Sequence, residues 1–186
     1  MTTRVFIAGS MNIKHLDPKV KERIDNIVAQ DFEVVLGDAD GADTSIQSYL
    51  FHHGTTKITV FCSGSNARNN VGDWPIQPVE THYAIGSRAF YTAKDIRMAE
   101  VADIGLMIWD AKSTGTLSNV IELLARKKKS VVFVNKAKIF KNVGTADQLQ
   151  ELLSFMSEHA RQKADEKIHL FDRIEELKHE QMQIFA

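Results

Sequence analysis

Short apolar runs and amphipathic stretches alternate along most of the chain. Arg4-Val-Phe-Ile-Ala8 is rich in β-branched and aromatic residues and ends at Gly9-Ser10, which predicts a buried strand. Asp17-Pro18 then offers a capping carboxylate and a proline suited to a first helical turn, and Val20, Ile24, Ile27 and Val28 fall on one face. Phe32 to Leu36 predict a second strand, which runs into Gly37-Asp-Ala-Asp-Gly-Ala-Asp43. A helix through Ile46, Tyr49 and Leu50 follows, closed by Gly54, and Lys57 to Phe61 predict a third strand. From Ser63 to about Gly86 the chain has glycines, Pro75 and Pro78 but no periodicity, so a long loop is expected. A helix over roughly 87–102 leads into the apolar strand Ile104 to Trp109. Leu117, Val120, Ile121 and Leu124 then mark a helical stripe, and Ser130 to Val134 predict a fifth strand. Beyond about Thr145 one or two charged helices are expected. Leu149, Leu152, Leu153 and Met156 form one apolar face, and Leu170, Ile174 and Leu177 a second.

Strand and helix in strict alternation imply parallel strands joined by right-handed crossovers. The expected fold is therefore α/β: a three-layer Rossmann-like domain over residues 1–140, with about five parallel strands and helices on both faces. A C-terminal helical extension, 141–186, packs on that domain or pairs with a second chain. The 186 residues, 44% of them hydrophobic, suffice for one core. Lysine plus arginine (23) nearly cancels aspartate plus glutamate (24), which argues against nucleic acid or an anionic membrane as partner and for a small ligand. The single cysteine, Cys62, has no disulfide partner within the chain, and no cationic leader opens the sequence, so a cytoplasmic location is expected. No apolar run approaches the roughly 18–20 residues that span a bilayer.

In an open parallel sheet, ligands bind outside the carboxyl ends of the strands, where the chain switches direction. If the first strand lies beside the fourth, Gly9-Ser10 faces Ser113-Thr-Gly-Thr116 across that crevice. Glycine admits an anion to the backbone, the hydroxyls of Ser10, Ser113 and Thr116 can donate, and the helix starting near Leu117 offers free amides. Each loop alone also reads as a tight turn with an N-cap. Three aspartates within the six positions from Asp38 to Asp43 are chemically unlike a phosphate cradle; they suit ribose hydroxyls, a base or helix capping. The spacing lacks the further ligands of a calcium loop, and there is no histidine–cysteine cluster, so neither a metal nor a cofactor is expected. Arg68-Asn69-Asn70 and Trp74 in the long loop supply a cation, amides and an aromatic face, the parts of a lid over a phosphorylated nucleoside or of a pinned solvated loop. Arg126-Lys-Lys-Lys129 reads as cations complementing a helix end.

The first strand ending in Gly9-Ser10, the Gly37-to-Asp43 loop, Cys62-Ser-Gly64 with Arg68-Asn-Asn70, and Trp109-Asp-Ala-Lys-Ser-Thr-Gly-Thr116 together resemble the SLOG superfamily. This Rossmann-like group contains the DprA/Smf and LOG proteins, and the likeness is to its YspA/YpsA-type branch. It covers about residues 4–135. It implies a nucleotide or nucleotide-derived ligand, with Gly9, Ser10, Gly115 and Thr116 on its phosphate, and it implies a homo-oligomer. Gly37, Asp38, Asp43, Arg68, Asn69, Lys94, Ser113 and Asn119 complete the expected binding set, with Trp74 as base-stacking candidate. LOG enzymes cleave an N-glycosidic bond of a nucleoside monophosphate and carry a glutamate three residues after the Gly-Thr threonine; here that position is Asn119. An amide cannot act as that carboxylate. The arginine before the Gly-Thr loop corresponds to Lys94, which keeps the charge but loses the fork.

Two functions follow. The first is a sensor or binding module for a nucleotide-derived molecule. The alternative is an N-glycosidic hydrolase or transferase of the LOG or deoxyribosyltransferase kind, with Asp38, Asp43 or Glu122 in place of the missing glutamate. Single-strand DNA binding, as in the DprA relatives, would need a basic groove with stacking aromatics.

Overall fold

The computed structural model describes residues 1–184 and has an α/β architecture of the Rossmann-like, three-layer kind. In chain order, β1 (Arg4–Gly9), α1 (Pro18–Ala29), β2 (Glu33–Gly37), α2 (Ala42–His52) and β3 (Ile58–Ser63) are followed by β4 (Ile76–Val79) and α3 (Arg88–Val101). Then come β5 (Ile104–Trp109), α4 (Thr114–Ala125), β6 (Ser130–Val134), β7 (Ile139–Val143), α5 (Ala146–Leu153), α6 (Glu158–Ile168) and α7 (Leu170–Ile184). The seven strands form one sheet in the order β4-β3-β2-β1-β5-β6-β7, all pairings parallel except β6 with β7.

The period-two pattern of the strands divides the core. Val5 and Ile7 of β1 point to the face covered by α1 and α2, with Val20, Ile24, Ile46 and Leu50. Phe6 and Ala8 point to the other, with Met98 of α3 and Leu117, Val120 and Ile121 of α4. Capping side chains explain where five of the helices, α1 and α3 to α6, start. Asp17 accepts from the Lys19 amide at 2.9 Å, Ser87 from Phe90 at 3.2 Å and Ser113 from Thr116 at 3.4 Å.

Two strands go beyond the five expected. β4 lies within the stretch read as loop, and its Pro78 is tolerated because β4 is the sheet edge and needs no inner amide. β7 turns back on β6 through Asn135 to Lys138, with Lys138 in the left-handed region at φ 56°. The C-terminal segment forms three helices, broken at Ser154–Ser157 and at His169, whose φ of 53° ends α6. Their stripes, Leu149, Leu152, Leu153, Leu170, Ile174 and Leu177, join the same buried cluster as α3 and α4. Arg173 fastens α7 to α4 by donating to Ser118 Oγ at 3.2 Å and Glu122 Oε1 at 2.6 Å. Among the described residues, no helix is long and apolar enough to cross a membrane.

Because this extension shares the core, Ile174→Ala should lower stability by about 2–4 kcal/mol. Urea unfolding followed by tryptophan fluorescence, which reports the sheet, should show the loss in one transition. A change confined to helical circular dichroism would mean that α7 unfolds independently.

Candidate functional site

The sheet order places the direction switch between β1 and β5, where Gly9 pairs with Ile108 and the Ser10 amide donates to the Ile108 carbonyl at 2.9 Å. Beyond these strand ends lies a crevice of about 590 Å³, within the range of small-molecule sites. Its wall includes Gly9, Asp43, Arg68, Lys94, Ser113, Gly115, Thr116 and Asn119.

Three hydroxyls link the two sides of the crevice. Ser10 Oγ and Thr116 Oγ1 are 3.2 Å apart, Thr116 Oγ1 donates to Ser113 Oγ at 3.3 Å, and the Asp110 amide donates to Ser10 Oγ at 3.1 Å. The turn before α4 is shaped by Asp110, whose Oδ1 accepts from the amides of Lys112 (2.9 Å) and Ser113 (2.6 Å). The result is a helix start at which Ser113 Oγ caps the Thr116 amide and leaves the Thr114 and Gly115 amides without a described partner beside the crevice.

Glycine is required at Gly9 for a packing reason: a Cβ there would stand 2.7 Å from the Ala42 side chain and 2.8 Å from the Ile108 carbonyl oxygen. At Gly115 the situation is the reverse. The nearest atom to its added Cβ is Ser113 Oγ at 4.0 Å, so no packing inside the molecule demands a glycine. Asn119, one turn further along α4, is nine-tenths buried, and its side-chain amide bonds to no described residue.

The aspartate-rich loop sorts into different jobs. Asp38 is buried and held by Arg68, whose amide and Nε donate to Oδ2 at 2.9 and 3.3 Å and whose Nη2 donates to Oδ1 at 2.8 Å. Burial works against its charge, but the Arg68 bonds prevail and hold the carboxyl below the usual range. Arg68 in turn lies 4.2 Å over the Tyr91 ring. Asn69 donates to the Asp38 carbonyl (2.8 Å) and Asp40 Oδ1 (3.0 Å), which makes it a brace of the loop and leaves it off the crevice wall.

Asp43 and Lys94 meet behind this loop, over Gly37, which itself is off the wall. A Cβ on Gly37 would be 2.7 Å from Asp43 Oδ2 and 2.8 Å from Lys94 Nζ, so glycine makes room for their approach. Lys94 is buried and donates to Asp95 Oδ1 at 2.7 Å. Burial opposes its charge, but the carboxylates of Asp95, Asp43 and Asp38 outweigh that and raise its pKa. Burial pushes the Asp43 carboxyl up to about 6 against the pull of Lys94, leaving it the one carboxyl of the three catalytic candidates that both reaches the crevice and titrates near neutrality. Glu122 lies off the wall, shared between Arg126 (2.5 Å) and Arg173 (2.6 Å).

Trp74 is also away from the crevice. It is buried in the core cluster under α1 and α2, with Nε1 donating to the Thr55 carbonyl at 3.0 Å and Asn70 bracketing its backbone. Tyr91, which sequence reasoning missed, is the aromatic residue on the wall among those described. Gln47 was missed as well: fully buried, it donates to the carbonyls of Gly37 (2.9 Å) and Asn69 (3.1 Å) and accepts from the Val71 amide (2.9 Å), pinning the long loop to α2. Cys62 is buried at the end of β3, where burial pushes its thiol pKa up.

Fold and crevice thus define a Rossmann-like α/β domain with a pocket at its strand switch. No protein-family model and no curated protein matches the chain.

The raised Asp43 pKa fixes a sign. The folded value lies above the ordinary 3.8, so the neutral carboxyl's advantage is complete below that pH and is lost as pH rises through about 6. Asp43→Asn, which never ionises, should therefore gain stability relative to the parent between pH 4 and 7.5, by up to about 3 kcal/mol. Urea midpoints at the two pH values measure this; a pH-independent difference would mean that Asp43 titrates as an ordinary carboxyl.

Proposed function

We propose that this protein is an SLOG-type nucleotide-binding module that holds the phosphate of a nucleotide or nucleotide-derived molecule at the start of α4. The observation that carries this reading is Asn119, a largely buried residue whose side-chain amide opens onto the crevice one turn beyond Gly115 and Thr116 and bonds to no described residue. Open to the crevice but otherwise enclosed, that amide is placed to exchange water for a ligand oxygen. Gly115 supports the same reading, since nothing in the chain requires its missing side chain while an anion approaching the helix amides does. Thr116 adds its hydroxyl to the phosphate, backed by the buried Ser10 Oγ at 3.2 Å, which lies off the wall, and Tyr91 supplies an aromatic ring on the wall for the base.

Gly115 separates binding from folding. Gly115→Ala should raise intrinsic stability by up to about 1 kcal/mol, because alanine favours the helix and meets open space. The same substitution should abolish the thermal stabilisation given by a panel of nucleoside mono- and diphosphates, as should Thr116→Val. For the parent, a ligand at 100 times its dissociation constant contributes about 2.7 kcal/mol. No shift with any nucleotide would count against the proposal, as would an undiminished shift in the two variants.

A second reading, N-glycosidic cleavage of a nucleoside monophosphate, is favoured by Asp43 alone. A crevice carboxyl with a pKa of about 6 beside a buried lysine suits proton transfer to a leaving base. On this reading, free base appears when the parent is incubated with nucleoside monophosphates and is lost in Asp43→Asn with binding retained. Absence of base release from the parent leaves binding as the function.

A further inference from the structure

Five lysine and arginine side chains line the crevice, and two of them are neutralised: Lys94 by Asp95 and Arg68 by Asp38. Arg88, Lys112 and Lys167 pair with no carboxylate among the described residues. They arrive from three separate elements: the first turn of α3, the turn between β5 and α4, and the last turn of α6. The exposed Arg88 guanidinium donates from Nη2 to Thr114 Oγ1 at 3.1 Å, which brings it beside the start of α4, and its remaining N–H donors bond to no described residue. Asp110, which also lines the crevice, already accepts from two amides of its own turn. The other wall carboxylates, Asp43 and Asp95, lie next to Lys94.

Like charges brought together at a concave wall repel unless an anion lies among them, and a single phosphate at Gly115 and Thr116 already has the helix amides and hydroxyls as partners. We infer that the crevice takes a ligand with two linked phosphates, the class of nucleoside diphosphates and their esters. The first phosphate lies at the start of α4, and the second lies among Arg88, Lys112 and Lys167. This rests on the binding reading above and adds its substrate class. It also gives the C-terminal helices, outside the span that resembles SLOG proteins, a direct part in recognition: Lys167 selects for the second phosphate. Arg88, with a planar fork, is suited to bind it through two oxygens.

The test is calorimetric titration of the full chain, at fixed ionic strength, with the mono- and diphosphates of adenosine, guanosine, cytidine and uridine, and with inorganic phosphate and pyrophosphate as base-free probes. The diphosphate of the preferred base should bind at least about tenfold more tightly than its monophosphate, the gain expected of one added charged hydrogen-bond set. Arg88→Ala and Lys167→Ala should each remove most of that preference and leave monophosphate affinity within about twofold. Lys21→Ala, which removes the same charge from the separate groove beside α1 and α2, should leave the preference intact. Equal binding of mono- and diphosphate overturns the inference while the binding function stands. So does a preference that survives both substitutions or falls equally with Lys21→Ala. If no compound binds the parent, the underlying reading fails with it.

Discussion

The crevice depends on how closely three chain segments meet at the end of β1. Gly9 lies against the Ile108 carbonyl of β5 on one side and Ala42 of α2 on the other, with no room for a methyl group. This contact accompanies a β1–β5 register that runs to Gly9 opposite Ile108, and the Ser10 amide continues the ladder to the Ile108 carbonyl. Were the strands to part earlier, Ser10 and Thr116 would not come within hydrogen-bond reach, and the hydroxyl link across the switch point would be lost. A backbone constraint at a single residue thus sets the geometry of the whole wall.

Around it, charge is distributed with little waste. Asp38 and Arg68 neutralise one another and hold the long loop against β2, while Lys94 is kept charged by Asp95 and Asp43 at a site where burial alone would favour a neutral amine. Breaking either cluster would leave a lone buried charge, so these residues are constrained by folding as well as by any ligand. Two of the three carboxylates of the aspartate-rich loop, Asp38 and Asp43, are thus answered by cations within the protein itself.

Much of this was legible in the sequence. The alternation of apolar runs with 3.6-residue stripes gave the parallel sheet, and the adjacency of β1 and β5, only a condition in the sequence, is met in the sheet order and brings Gly9-Ser10 opposite Ser113–Thr116. β4 was hidden because Pro75 and Pro78 read as loop punctuation, though an edge strand tolerates them. β7 was hidden because Ile139-Phe-Lys-Asn-Val143 faces partly outward and breaks its alternation with Lys141 and Asn142. Trp74 drew attention as an aromatic in a loop, but its contacts are long-range and lie in the core; Tyr91, inside a helix of mixed composition, had no local signal. Lys167 is one charge among many in α6, and only the docking of that helix against α4 gives it a position.

The two strands that eluded the sequence share a trait. β4 is four residues long and interrupted by a proline without an amide hydrogen, and β7 runs antiparallel and carries Lys141 with Lys138 at its approach. Sheet edges built this way offer a poor template to another strand. The molecule is thereby guarded at both sheet edges against the strand-by-strand addition by which open β-sheets grow into fibres.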